Sequence, residues 1–403
     1  MKIAFISYEF PPDTGFGGIG TYTYQIVHAL AKRGHYIEIF SCSHREEKSN
    51  IYLNNSIVLH RVNAAKRSIF SQLIVDVFRQ RNAEVNFDII ETPEYCAEGL
   101  EVRKAFPFIP MVVKLHTPIF LVNKLNNFYS RPPLKKRIKK LLGGKNYNKE
   151  NDPDYQLVKG ADAICSPSVA LAEILQKEWN LTKVDIIPNI FIPPQSYLDI
   201  PISENDCNVI TYMGRLDVRK GIKSLIDAIP IVLGKKPFIR FRFIGGDGQA
   251  PGGGSMKEYI IKRLHKYTDQ LEFKGYVNRD EIPKHISDSG IFVFPSIWEN
   301  YPYVCLEAMS GGKAIIATKN GGMKEIVEEN DGGILIDALN PKALANAISF
   351  LIENPGMRTE MGYNNRRKMK TFSQEIITNV EKYYDEIIST LIQNKALELS
   401  RKS

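Results

Sequence analysis

No apolar run in this 403-residue chain approaches the roughly 20 residues that a helix needs to span a bilayer. That argues against an integral membrane protein. The opening Met1-Lys2-Ile3-Ala4-Phe5-Ile6-Ser7 is too short to serve as a signal peptide, and Glu9 and Pro11-Pro12 end it. Cysteine is sparse. Cys42, Cys96, Cys165, Cys207 and Cys305 are scattered with no C-x-x-C pair, which excludes a disulfide frame and a zinc ribbon. They read as buried thiols in a reducing compartment. There is no repeat at a fixed period and no low-complexity segment, so neither a solenoid nor a disordered tail is expected. No D-x-D pair is placed to hold a metal between phosphates, so the expected chemistry needs no metal. The expected location is cytoplasmic.

What is present is a globular composition, 43% hydrophobic and 24% charged, on a chain too long for one ordinary core. The net charge of +8 favours anionic partners: nucleotide diphosphates, anionic lipid surfaces or nucleic acid. Lys2 to Ser7 reads as a buried strand, Glu9 to Gly18 as a loop, Gly20 to Arg33 as a helix closed by Gly34, and Ile37 to Ser41 as the next strand. This is the repeating unit of a doubly wound parallel sheet. Further strands are expected at 87–91, 111–115 and 161–166. A second cycle starts after Pro193-Pro194, with strands at 209–214, 241–245, 271–275, 291–295, 314–318 and 333–336. The expected fold is therefore α/β, with two Rossmann-like parallel-sheet domains facing a cleft. The domains are expected at 1–195 and 205–373, with a last helix at about 374–403.

The chemistry concentrates after the strand at 291–295. Glu299 falls in a strand-to-helix loop, and Glu307, with seven residues between the two, lies one turn into the helix. In a parallel sheet such loops open where ligands bind. Two carboxylates can accept hydrogen bonds from hydroxyls, and the helix N-terminus between them offers N–H groups to an anion. Hydroxyl, anion, hydroxyl is the polarity of a nucleotide-sugar. Arg215 and Lys220, framed by Gly214 and Gly221, can stabilise the charge that develops on a departing diphosphate. Arg219 beside them is expected to face outward. Gly17-Gly18-Ile19-Gly20 opens a helix and suits a phosphate, although it lies too far past its strand for a tight dinucleotide turn. His116 ends a strand and can hydrogen-bond a sugar or phosphate. Asp13 and Glu91 are candidates for acceptor contact or for turn and cap roles. Asp247 reads as a turn residue.

These pieces resemble the two-glutamate signature of retaining glycosyltransferases with the GT-B fold, the large family-4 group. His116-Thr117-Pro118, Ile187-Pro188-Asn189, Gly214-Arg215-Leu216-Asp217, Gly245-Gly246-Asp247-Gly248 and Asn320-Gly321-Gly322 follow in the family's order. The resemblance implies a hexosyltransferase that moves a sugar from a UDP- or GDP-sugar to a glycan, glycolipid or small-molecule acceptor, in cell-envelope polysaccharide biosynthesis. It gives Gly17, Gly18 and His116 contacts to donor phosphate or sugar, Glu299 the sugar hydroxyls and Glu307 the ribose. It implies retention through an oxocarbenium-like state, and an acceptor on the N-terminal domain with the last helix packed there. Where Gly-Phe-Gly often follows the first glutamate, this chain has Asn300-Tyr301-Pro302. Asn300 and Tyr301 are therefore donor-contact candidates, and Pro302 has no N–H to give.

The basic amphipathic stretch 134–142 would suit an anionic membrane at the inner face, as either a docking segment for a lipid-linked acceptor or a solvated surface. Rival readings are a phosphorylase with pyridoxal phosphate, a nucleotide-sugar epimerase, and a non-catalytic basic protein for membrane or nucleic acid. The phosphate-binding pattern in both halves does not require the last, so no nucleic-acid partner is expected.

Overall fold

The computed structural model describes residues 1–15, 17–44, 48–129, 147–204 and 208–400. The chain divides into two compact units. Met1–Val122, Tyr147–Phe191 and the chain from Ser373 form the first, and Ile192–Phe372 is the body of the second.

The first unit is built on an eight-stranded sheet: β1 (Lys2–Ile6), β2 (Tyr36–Ser43), β3 (Lys48–Asn54), β4 (Ile57–Asn63), β5 (Ile89–Pro93), β6 (Met111–Lys114), β7 (Ala163–Ser166) and β8 (Asp185–Ile186). Their order is β3-β4-β2-β1-β5-β6-β7-β8. All neighbours run parallel except the edge pair β3 and β4. The order reverses between β1 and β5, so the loops leaving these two strands diverge and open a crevice. Strands β1, β5 and β6 are almost wholly buried, as two-sided parallel strands must be. The helix Arg67–Val85 inserts Phe70, Ile74 and Phe78 into the core, where Phe78 meets Phe40 and Phe87 with ring centroids 5.1 and 5.6 Å apart.

The second unit holds six parallel strands: β9 (Val209–Met213), β10 (Arg240–Ile244), β11 (Leu271–Gly275), β12 (Ile291–Phe294), β13 (Ala314–Thr318) and β14 (Gly333–Ile336). Their order is β11-β10-β9-β12-β13-β14, with the reversal between β9 and β12. The helix Ile222–Lys235 follows β9 and buries Ile222, Leu225, Ile226, Ile229 and Val232, a stripe at three- and four-residue spacing. The helix Pro341–Glu353 packs beside it in the same core.

The last helix runs from Pro355 to Ser400 without a break, longer than the 374–403 expected. The residues on both sides of Thr371-Phe372 are good helix formers, so the helix begins before 374 and continues through. In the first unit this helix is tied down twice. The Tyr384 hydroxyl donates to the buried Glu91 carboxylate. Arg33 Nη2 and His35 Nε2 lie 2.6 and 2.9 Å from the Glu381 carboxylate. Among the described residues no helix is long and apolar enough to cross a membrane. The basic stretch 134–142 lies outside the described residues.

Candidate active site

In the second unit the loops leaving β9 and β12, the two strands at the switch point, are locked together by backbone. Gly221 has φ +72°, and a Cβ there would fall 1.7 Å from the Pro295 carbonyl oxygen, so only glycine allows this approach. Ile297 N donates to Arg219 O at 2.9 Å, and Gly322 N donates to Glu299 O at 2.9 Å. Three loops thus converge on Glu299.

Glu299 is 7% exposed. Lys220 Nζ forms an ion pair with its Oε1. Arg219 Nη1 stands 3.6 Å from the same oxygen and donates to Trp298 O at 3.2 Å. Burial pushes the Glu299 carboxyl up, but Lys220 and Arg219, with hydrogen bonds from Lys220 and Ser296, outweigh it and hold the group below its ordinary value. Two cations around one carboxylate leave one positive charge in surplus. Arg219 is therefore not outward-facing, which corrects the expectation. The turn Val218–Lys220 is 3-10, capped by Asp217, which accepts from Arg219 N at 3.0 Å. Such a turn spaces successive side chains by about 120°, so two neighbours can reach one target from different sides.

Arg215 is not in this cluster. Its side chain is 65% exposed, and its Nη2 meets Asp217 Oδ2 at 2.7 Å. Asn300 and Tyr301, both 8% exposed, fold inward rather than line an open surface. Pro302 sits at the N-cap of the helix Tyr303–Ser310. A small pocket at this helix start is lined by Lys220, Glu299, Ser296, Pro302, Val304 and Tyr212. Glu307 is half-buried and has a separate environment. Burial pushes its carboxyl up to about 7, tempered by Arg279. The two glutamates therefore differ: Glu299 is held as a carboxylate, while Glu307 is balanced between acid and carboxylate near neutral pH.

In the first unit Gly17 and Gly18 are exposed at the start of the helix Gly18–Lys32. One N–H of this terminus is already used: Gly20 N donates to Glu9 Oε2 at 3.1 Å. Glu9 is in turn held by Arg67 Nη1 at 2.7 Å. His116 lies edge-on to Tyr22, ring centroids 5.3 Å apart. Burial, Lys114 and Arg67 push its imidazole down to about 3, so the ring is neutral at physiological pH and acts as a hydrogen-bonding group, not a cation. Asp13 is engaged by Arg61 and by Ser43 Oγ at 3.1 Å. Glu91, fully buried, takes the Tyr384 hydroxyl. Both acceptor-contact candidates thus have internal partners. Asp247 accepts from Gly248 N and Lys257 N, each at 2.9 Å, a turn role. Among the described residues no three His, Cys, Asp or Glu side chains gather as a metal site. Sequence reasoning misread Arg219 and overlooked Glu94, Arg67 and Arg279. None of these carries a local pattern; their roles depend on pairings between distant strands and loops.

Comparison with known proteins covers both units. The family model for glycosyltransferase family 4 matches residues 16–191, and that for glycosyl transferases group 1 matches 199–368. An uncharacterized glycosyltransferase of Methanocaldococcus jannaschii is 22% identical over 91% of this chain and 93% of its own length. Sucrose-phosphate synthase from Thermosynechococcus elongatus superposes with a TM-score of 0.72 at 21% identity, covering 96% of this chain and 99% of that one. Anabaena HepE, crystallised with UDP, superposes at 0.64 with 20% identity over 95% and 100% of the two chains. The two sheets match the GT-B architecture of these neighbours, and the two family models together match most of the chain: it belongs to the family-4 glycosyltransferases, enzymes of GT-B fold.

Proposed function

We propose that this glycosyltransferase is retaining and takes its sugar from a UDP- or GDP-sugar. The observation that carries the reading is the Lys220–Glu299–Arg219 cluster at the β9/β12 switch point, a buried site with surplus positive charge beside a helix N-terminus. A diphosphate brought there meets Lys220 and the helix N–H groups. As the sugar–oxygen bond breaks, charge grows on the leaving phosphate, and cations already in place stabilise that state more than the ground state. Arg215, exposed and paired with Asp217, can turn to the same phosphate. Glu299 then takes sugar hydroxyls and Glu307 the ribose hydroxyls. Asn300 and Tyr301 shape the donor loop. Gly17, Gly18 and neutral His116 are assigned to donor phosphate and sugar. The acceptor hydroxyl attacks on the face the diphosphate leaves, through an oxocarbenium-like state.

HepE has been crystallised with UDP and glucose, which supports a nucleotide-sugar donor here. The arginine and lysine cations do the work a metal would otherwise do, so the reaction is assigned no metal. The acceptor is assigned as a glycan or lipid-linked glycan of cell-envelope polysaccharide synthesis, met on the cytoplasmic side, with 134–142 as peripheral membrane contact. Thermal shift with UDP, GDP, ADP and NAD, each with and without magnesium, tests the donor. A ligand at a hundredfold its Kd adds about 2.7 kcal/mol. A rise with UDP or GDP alone, indifferent to magnesium, supports the reading. A rise only with NAD, or none with any of the four, counts against it.

A further inference from the structure

Strands β5 and β6 pair in parallel with Pro93 opposite Lys114. The register therefore sets Glu94, the first residue past β5, beside the turn that leaves β6. Glu94 is wholly buried. Its carboxylate accepts from His116 N at 2.9 and 2.7 Å and from Thr117 N at 2.7 Å. At the far end of the same turn, Ile119 N donates to Asp154 Oδ2 at 3.0 Å. Asp154, 2% exposed, stands in the first turn of the helix Pro153–Gly160. It also accepts from the N–H groups of Cys96 and Ala97, in the loop that carries Glu94. Each loop is thus fastened to the other through a buried carboxylate.

The backbone between these fastenings is strained. Thr117 has φ +152°, Cys96 +60° and Ala97 +50°, and none is glycine. Such conformations persist only where their surroundings over-determine them, and they cluster at functional sites. Burial pushes the Glu94 carboxyl up to about 8 and that of Asp154 to about 7, each opposed by backbone N–H groups, with Glu94 raised further by Asp154 and Asp154 by Asp152. Two acids buried this deeply are a costly way to brace an ordinary turn. What the brace delivers is a fixed path for the backbone that carries the His116 ring.

We propose that Glu94 and Asp154 are positioning residues of the transferase: two buried carboxyl groups that hold the His116–Ile119 turn at both ends and so aim the His116 ring. This rests on the reading above, that His116 serves the donor. Removing Glu94 frees two buried N–H groups and lets the strained turn relax. Glutamine keeps one acceptor oxygen but sets an NH2 where the second oxygen stood. Asn at position 154 does the same for Ile119.

The test uses full-length His116→Ala, Glu94→Ala, Glu94→Gln, Asp154→Asn and the double variant His116→Ala/Glu94→Ala. Nucleoside diphosphate release is followed from UDP-glucose, GDP-mannose and ADP-glucose, and amide exchange is followed across 111–121. Misplacement by about 1 Å can cost up to about a hundredfold, so Glu94→Ala is expected to lower kcat at least tenfold, Glu94→Gln less, with donor KM within twofold. The double variant is expected to be no slower than His116→Ala. Faster exchange of the His116–Ile119 amides in Glu94→Gln and Asp154→Asn supports the clamp without any donor, and covers the case in which Glu94→Ala does not fold. Unchanged exchange overturns it. A slow His116→Ala beside wild-type kcat in both Glu94 variants overturns the positioning role alone, as do effects that multiply in the double variant. Wild-type kcat in His116→Ala overturns the histidine reading itself, and the positioning role falls with it.

Discussion

Lys220 and Glu299 form a buried ion pair across the loops that leave β9 and β12, and Arg219 completes it from the other side. The pair is a stability element and a candidate catalytic element at once, and the two roles can be separated.

Lys220→Ala leaves Glu299 buried with Arg219 as its remaining cation. Breaking one side of a buried pair costs about 3–5 kcal/mol, and Arg219 places this case at the low end. Turnover is expected to fall by about 10²–10³. Lys220→Ala/Glu299→Gln is expected to recover most of the lost Tm and none of the turnover. Recovery of both would show that Lys220 only neutralises Glu299.

Arg215→Ala isolates the phosphate role, because a side chain so exposed contributes little to folding. The unfolding free energy from denaturant titration is expected to stay within about 0.5 kcal/mol of wild type. Turnover is expected to drop sharply. Unchanged turnover in both Arg215→Ala and Lys220→Ala would sink the diphosphate assignment.

Glu307 makes stability depend on pH. Its carboxyl, pushed up to about 7, holds its proton more tightly folded than unfolded. Stability from this group is therefore full below the ordinary carboxyl range and is lost as pH rises through about 7. Glu307→Gln is expected to unfold later than wild type at pH 8, by roughly 2 kcal/mol after discounting its partial exposure, with the gap closing near pH 4.5. A constant gap across that range would rule out this linkage.

Turnover is expected to be the same in magnesium and in EDTA, because fixed guanidinium and ammonium groups carry the leaving-group charge. Loss of activity in EDTA that magnesium restores would require a metal step.

Tyr384→Phe removes the hydroxyl that meets Glu91. Tyr22 still hydrogen-bonds Glu91, so the variant loses one of two hydroxyl partners, at a cost of about 1 kcal/mol. Urea unfolding of the full chain is expected to show that loss, and wild-type stability would mean that Tyr22 alone suffices for Glu91.

Much of the second unit was legible. Its strands are short apolar runs ended by glycine or by polar residues, and Glu299 and Glu307 fall in the loop and helix where the spacing puts them. The helix Arg67–Val85 and the strands at 48–63 were not read, because their mixed polar and apolar residues give no clean period. The direction of Arg219 was misread because a one-turn element has no periodicity to consult. Glu94 was invisible for another reason: a lone glutamate after Thr92-Pro93 looks like any loop acid, and only the register of β5 against β6 brings it to His116.

Tyr384 stands 293 residues after the Glu91 it meets. At roughly 5–20 residues per second, a ribosome needs on the order of 15–60 s to pass from one to the other. During that interval the emerging first unit carries a core carboxyl with only one of its two tyrosine partners, Tyr22, in place among the described residues. The body of the second unit runs continuously from Ile192 to Phe372 and has no such wait. The segment made first is thus the one that finishes last, and a chain interrupted before Tyr384 would be expected to expose a defect far from its cut end.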